Sequence, residues 1–314
     1  MEVPIIHNFP FDPTYGFDEA GLRDIRPPPE VEGFVAFWRA SYAETLSLPL
    51  RIALAESGLP HRSHRVRTVE FDTLGGFRIG GWLLEPCEQA PLSLVVQGHG
   101  YGGRDSIDAL IPRRAAVLLV CAPGFNRSAR TDLPSQADVH VVHGIGHRDT
   151  YLIRFCVASL WSAGSVLREL HPNLPLHFVG GSFGGGLGAL AMPWDVRFSA
   201  GFLEVPTFGH HPLRLQCQCV GSGESVRRWR TDHPEVLEVL RYYDAAVAAA
   251  HIAVPVVCAP ALFDPAVPPP GQWAVANALP KGEIVPVTAG HFDHPANVQD
   301  AIAVHRRVRA LIGG

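Results

Sequence analysis

The chain has 314 residues, 47% hydrophobic and 18% charged, a composition that excludes an intrinsically disordered protein. With 26 Lys and Arg against 30 Asp and Glu, the formal charge of −4 excludes the basic footprint of a nucleic-acid binder. No apolar run nears the ~20 residues of a membrane span and no signal peptide is visible, so a cytoplasmic protein without membrane partners is expected.

In chain order, residues 1–65 predict an N-terminal arm and a helix. Pro4, Pro10, Pro13 and the run Pro27-Pro28-Pro29 keep the backbone extended. A helix follows in EVEGFVAFWRASYAETL, where Val31, Phe34, Phe37, Trp38 and Tyr42 recur at helical spacing. The arm's Phe9, Phe11, Tyr15 and Phe17 need cover, from the chain's own body or from a neighbouring subunit. HRVRTVEFDT and GFRIGGWLLEP, separated by Leu74-Gly75, predict two antiparallel strands.

From residue 91 strands alternate with helices. LSLVVQG, RAAVLLVCAPG, LPLHFVGG and SAGFLEVP are short apolar runs suited to strands buried on both faces, and VPVVCAPALFD and EIVPVTAGH supply two more. A helix is expected over roughly 148–170. A last helix is expected after Pro295, with Val298, Ala301, Ile302, His305, Val308 and Leu311 facing inward. Residues 207–252 read as a largely helical insertion. The alternation implies a single α/β domain over 1–314 with a mostly parallel sheet flanked by helices. The six cysteines fit free thiols in a reducing compartment, since a chain of this size needs no stapling.

The chemistry concentrates at Gly180-Gly181-Ser182-Phe183-Gly184. This G-x-S-x-G follows an apolar strand and opens a helix, the context in which a serine sits exposed on a sharp turn. A nucleophilic serine needs a base oriented by an acid, in the chain order Ser, Asp or Glu, His. Asp264 and His291 end two downstream strands and fit that order. Glu204, which also ends a strand, competes for the acid; His294 and Asp293 sit close to His291 but are better placed to begin the last helix. The backbone N–H groups of Phe183 and of Tyr101, in the Gly-rich loop HGYGG, are expected to form the oxyanion hole. Phe125, Phe208 and His99 are expected beside Phe183 in a compact pocket that excludes acyl groups beyond butanoyl. His210, His211, Cys217 and Cys219 are ligand-type residues, but C-x-C is not a usual zinc spacing and no second cluster supports it.

Dispersed motifs add a resemblance. The chain resembles the acetyl xylan esterase and cephalosporin C deacetylase family, carbohydrate esterase family 7, over most of residues 30–314. The motifs are FWRASYAE, HGYGG at 99–103, HGIGHRDTYLIR at 143–154, GGSFGG at 180–185, EVP at 204–206, RYYDAAVAA at 241–249, DPAVPP at 264–269 and GH at 290–291. The resemblance implies an α/β-hydrolase fold, a Ser182–His291–Asp264 triad, oxyanion donors at Tyr101 and Phe183, and a homo-oligomer, hexameric in that family. The chain departs from the family's pattern where Phe125-Asn126-Arg127-Ser128 replaces an Arg-Gly-Gln-Gly turn, Phe183 a glutamine and Phe292 a glutamate.

The expectation is a serine carboxylesterase that deacetylates small-molecule esters through an acyl-enzyme, needing no metal and no organic cofactor. Its activity should rise through the weakly acidic range as His291 becomes neutral. A peptidase or amidase on the same fold, or a non-catalytic binder, is the alternative; a binder should have lost a member of the triad.

Overall fold

The computed structural model describes residues 5–107 and 111–313. Pro4 lies outside them. The chain opens with the arm, a short helix α1 (Glu19–Arg23) capped by the Asp18 side chain, and the expected helix α2 (Phe34–Leu46). Phe34, Phe37, Trp38, Ser41 and Thr45 of α2 are buried, and the Trp38 indole donates to the carbonyl of Tyr242 at 2.8 Å. One stripe of α2 thus ties the N-terminal region to the far insertion.

Next come β1 (Ala53–Glu56), β2 (His64–Thr73) and β3 (Phe77–Pro86). β2 and β3 pair antiparallel from His64↔Pro86 to Thr73↔Phe77, as expected. The exposed edge strand β1 was not anticipated, because ALAE carries no alternation that a half-buried strand would show. The strands β4 (Ser93–Gln97) and β5 (Ala115–Val120) are buried throughout, followed by α3 (Ala137–His140) and the long helix α4 (Leu152–Leu170). Then come β6 (Leu176–Gly181), α5 (Phe183–Ala191) and β7 (Phe198–Glu204). The insertion supplies four short helices, α6 (His211–Arg214), α7 (Gly223–Asp232), α8 (Val236–Leu240) and α9 (Ala245–Ala249).

Both C-terminal strand runs are split by a proline. VPVVCAPALFD becomes β8 (Val256–Ala259) and β9 (Ala261–Phe263); after α10 (Pro269–Ala278), EIVPVTAGH becomes β10 (Gly282–Ile284) and β11 (Val287–Ala289). Pro260 and Pro286 have no N–H for a ladder, so both runs leave the main sheet at matching points. β9 and β11 then form their own parallel pair.

The main sheet has nine strands in the order β1-β2-β3-β5-β4-β6-β7-β8-β10. The first three pairings are antiparallel and the rest parallel. From β4 the chain steps outward one way to β5, then returns to the other side for β6. The crevice at the carboxyl ends of β4 and β6 is therefore the topological switch point, where ligands bind in open α/β sheets.

The last helix, α11 (Asn297–Ile312), corrects the expected inward face. Its buried positions are Val304, Val308 and Ile312, whereas Val298 and Ile302 are 66% and 49% exposed and Ala301 and His305 lie outside as well. The i, i+4 row of three β-branched residues packs on the sheet with Leu311 half-buried beside it, so Val308 and Leu311 of the expected face do turn inward and its first four residues do not.

Candidate active site

At the end of β6 the chain turns sharply through Ser182, whose φ of 54° and ψ of −116° form a strained conformation for a residue with a side chain. The Ser182 N–H donates to the Glu204 carbonyl at 2.8 Å, and its own carbonyl accepts from Gly186 and Thr207. Glycine is sterically required around it. A Cβ on Gly180 would stand 2.6 Å from the Gly184 carbonyl oxygen, and one on Gly184 would stand 3.0 Å from the Gly98 and His99 backbone. Gly180 leaves room for the first turn of α5, and the elbow touches the loop after β4 because Gly184 and Gly98 lack side chains.

The paired β9 and β11 bring the other two residues together. Ala289 lies opposite Phe263, so the next residue of each strand leads into Asp264 and, one further, His291. His291 has a left-handed φ of 45°. Its Nδ1–H donates to Asp264 Oδ2 at 2.8 Å, and its Nε2 accepts from the Ser182 hydroxyl at 2.9 Å. Asp264 is fully buried, and its Oδ1 accepts from the N–H groups of Ala266 and Val267 at 2.8 and 2.9 Å. Sequence reasoning missed the fourth donor, the Gln272 side chain on α10, 2.8 Å from Asp264 Oδ2. Glutamine on an apolar helix carries no local signal of such a role.

Glu204 does not compete for the imidazole, whose Nδ1 is taken by Asp264. Burial raises the Glu204 pKa, partly opposed by the charges of His305 and His291. Burial alone would lower the pKa of His291, but the hydrogen bond and charge of Asp264, with the charge of Glu204, outweigh it and hold the pKa above the ordinary 6.5.

The loop after β4 passes beside the nucleophile: a Cβ on Gly100 would stand 3.8 Å from the Ser182 Cβ. Phe183 is the first residue of α5, so its N–H has no carbonyl within the helix to meet. The Tyr101 N–H has no backbone acceptor among the described residues. Two free amides therefore flank Ser182, and Phe183 and Tyr101 hold the two segments together by stacking their rings at 4.0 Å. His99 fixes the loop from beneath. Its Nδ1–H donates to the Gly100 carbonyl and its Nε2 accepts from the Ala122 N–H, a pattern only the neutral ring can make. Burial, which lowers the His99 pKa to about 4, keeps that ring neutral.

Two cavities, of about 610 and 770 Å³, share Ser182 and His291 as a common wall. The smaller is the more polar, with Arg104, Asp105, Glu204, Asn297 and Asp300 in its wall, and includes His99. The larger is bounded by Phe11, Tyr101, Thr207, Val220 and Val267. Phe125 and Phe208, expected in the pocket wall, are corrected: they are 3% and 1% exposed, line neither cavity and pack behind Phe183 at 6.1 and 6.0 Å. Phe183 itself is 0% exposed and lines neither cavity, so none of the three phenylalanines expected in the wall forms it; aromatic residues beside a nucleophile read alike in sequence whether they face a cavity or the core.

Phe11 reaches the site because the described part of the arm packs on its own body. His7 meets Phe263 at 5.3 Å, and Phe9 meets Phe292 at 6.1 Å. The Tyr15 hydroxyl donates to the Gln218 carbonyl at 2.7 Å, and the Asp264 N–H donates to the Pro13 carbonyl at 3.3 Å. The arm's aromatics thus pack in part on the chain's own body and stay half-buried.

The ligand-type cluster is otherwise engaged. His210 caps α6 through Nδ1, His211 Nε2 donates to the Tyr243 carbonyl, and the Cys217 and Cys219 thiols point at the Leu213 and Gly221 carbonyls. Among the described residues, no group of three or more His, Cys, Asp or Glu side chains is arranged to hold a metal ion. No helix among the described residues is long and apolar enough to cross a membrane.

A family model described as acetyl xylan esterase matches residues 22–300. Among solved structures, the chain is similar to an acetyl xylan esterase from Paenibacillus sp. R4, at 21% identity and a TM-score of 0.82, covering 94% of this chain and 100% of that one. It is also similar to acetyl xylan esterase 1 from Thermoanaerobacterium sp. JW/SL YS485, at 20% identity and a TM-score of 0.80, covering 95% and 99%. An acylaminoacyl peptidase from Pyrococcus horikoshii matches less well, at 14% identity and a TM-score of 0.57, covering 81% of this chain and 43% of that one.

Proposed function

The chain belongs to the acetyl xylan esterase family, has the α/β-hydrolase fold and is an esterase; from that premise we propose that it removes acetyl and other short acyl groups through an acyl-enzyme on Ser182. The observation that carries this reading is the unbroken line of hydrogen bonds from buried Asp264 through His291 to the Ser182 hydroxyl, at the mouth of two cavities.

Ser182 Oγ attacks the ester carbonyl while His291 Nε2 takes its proton. The developing oxyanion is met by the N–H groups of Tyr101 and Phe183, fixed beforehand by ring stacking and by the start of α5. Collapse expels the alcohol, which leaves with the proton from His291. A water molecule then attacks the acyl-enzyme with His291 again as base, and Ser182 is regenerated. The chain acts throughout as one hydrolase domain over 1–314, with the 207–252 insertion closing the larger cavity through Thr207 and Val220.

With Phe125 and Phe208 out of the wall, acyl selection falls to Phe11, Tyr101 and Val267. p-Nitrophenyl acetate and butanoate are expected to turn over, and the octanoate roughly tenfold or more less efficiently in kcat/KM. Preference for the octanoate would remove the short-acyl part of the reading. Acetate release from acetylated oligosaccharides tests the alcohol half.

The raised His291 pKa sharpens the pH expectation. Below that pKa the imidazolium cannot accept the Ser182 proton, so kcat/KM is lost as pH falls through it. The acid limb is expected above pH 6.5 and not at or below it. A pH profile flat down to pH 5 would contradict neutral His291 as the base.

We further propose a homo-oligomer. Its support is the exposed edge strand β1, flanked by Leu46, Leu48 and Leu59, which are 42%, 37% and 43% exposed. A light-scattering mass of 34.1 kDa, that of one chain, would contradict it.

A further inference from the structure

We propose that Gln272 is a positioning residue of the triad: by donating to the same Asp264 oxygen that His291 uses, it fixes the carboxylate and tempers its pull on the imidazole. The inference rests on the assignment of Asp264 and His291 given above.

Gln272 is fully buried on the second turn of α10, among residues that are otherwise apolar or small. Its amide makes three hydrogen bonds. Oε1 accepts from the Ala261 N–H at 2.7 Å, and Nε2 donates to the Val267 carbonyl at 2.6 Å and to Asp264 Oδ2 at 2.8 Å. The amide orientation follows from these partners alone. Reversed, it would set oxygen against a carbonyl and a carboxylate, and nitrogen against an N–H.

The three partners span the whole segment that presents Asp264. Ala261 opens β9, Asp264 follows its end, and Val267 closes the turn before α10. One side chain thus clips both ends of that segment and the functional group between them. The carboxylate then has four donors for its four lone-pair directions: Ala266 and Val267 on Oδ1, Gln272 and His291 on Oδ2. The backbone donors share one oxygen, so they leave the other free to swing. Gln272 comes from a different element and stops that swing.

The shared oxygen gives the role an electrostatic signature. A donor on Oδ2 withdraws charge from the atom that stabilises the His291 imidazolium. Removing it makes Oδ2 the stronger acceptor, favours the charged ring and raises its pKa. A residue that merely packed would leave that pKa where it is.

The test is Gln272→Met, similar in length but without donor or acceptor, in the full chain. Its acid limb in kcat/KM for p-nitrophenyl acetate should move upward by about half a pH unit, since the change is one neutral hydrogen bond on a charged group. Plateau kcat should fall roughly five- to tenfold, because the base is less well held, while KM stays within about twofold because Gln272 touches no cavity. Gln272→Leu, of similar volume and also without donor or acceptor, should move the limb the same way, and it carries the test if the methionine variant does not fold.

The rate at which a serine-directed phosphonate labels Ser182, followed against pH, separates the role of Gln272 from the triad assignment. If Ser182 is labelled and both variants fold but the limb stays within ~0.1 unit of the wild type, the role of Gln272 is overturned and the triad stands. If wild-type labelling falls elsewhere than Ser182, the triad reading itself fails.

Discussion

Ser182→Ala is expected to lower kcat for acetyl esters by at least ~10³ while leaving the fold and its thermal transition nearly unchanged. The residual rate is what the oxyanion donors and binding achieve without a nucleophile. Structural cost should be small because among the described residues the hydroxyl's only partner is His291 Nε2, and the elbow is held by backbone bonds to Glu204, Gly186 and Thr207. Relief of the strained φ cannot follow, since alanine has the same Cβ. Steady-state kinetics and a melting curve on the same preparation check both halves. Near-wild-type turnover by the folded variant would end the assignment.

The second large effect is Asp264→Asn, for which a loss of about 10⁴ in kcat is expected by analogy with the same change in serine proteases. Here the reason can be followed atom by atom. Every donor around the carboxylate points inward: Ala266 and Val267 N–H at one oxygen, Gln272 and His291 at the other. An asparagine must turn its NH₂ toward one of these pairs, so donors face donors in either orientation. Facing His291, it forces the imidazole to keep its proton on Nε2, where it cannot accept from Ser182. Stability should fall as well, by about 1–3 kcal/mol for each buried group left unpaired. Glu204→Gln is the control. Glu204 makes no hydrogen bond to the imidazole, so it should retain most activity; if it were crippled and Asp264→Asn were not, the acid would be wrongly assigned.

Several of these residues were legible before any coordinates. GGSFGG announces itself because the elbow's steric demands fall on consecutive residues, and Asp264 and His291 stand just past apolar runs that must be strands. The prolines that split those runs were visible too, yet their consequence was not: only pairing shows that Pro260 and Pro286 break at the same level and bring β9 and β11 together. Gln272 was illegible for the opposite reason. Its partners lie 5, 8 and 11 residues away, joined by a helix start rather than by a repeating spacing. Phe125 and Phe208 were misplaced because hydrophobicity near a nucleophile does not tell a pocket wall from the core behind it. The facing of the helix at 297–312 was legible in its second half, where Val308 is buried and Leu311 half-buried, and not in its first, where Val298, Ala301, Ile302 and His305 meet solvent. The arm's aromatics had two possible covers, and sequence holds nothing that chooses between self and neighbour.

The central claim, that Ser182 is an esterase nucleophile activated by His291, is met most directly by trapping. Wild-type protein incubated with a serine-directed phosphonate, then digested and analysed by mass spectrometry, should carry one adduct per chain on the peptide containing Ser182. Labelling should be abolished in Ser182→Ala and slowed by orders of magnitude in His291→Ala, with loss of esterase activity tracking the adduct in the wild type. An adduct on another residue, or full inactivation with Ser182 unmodified, would contradict the account.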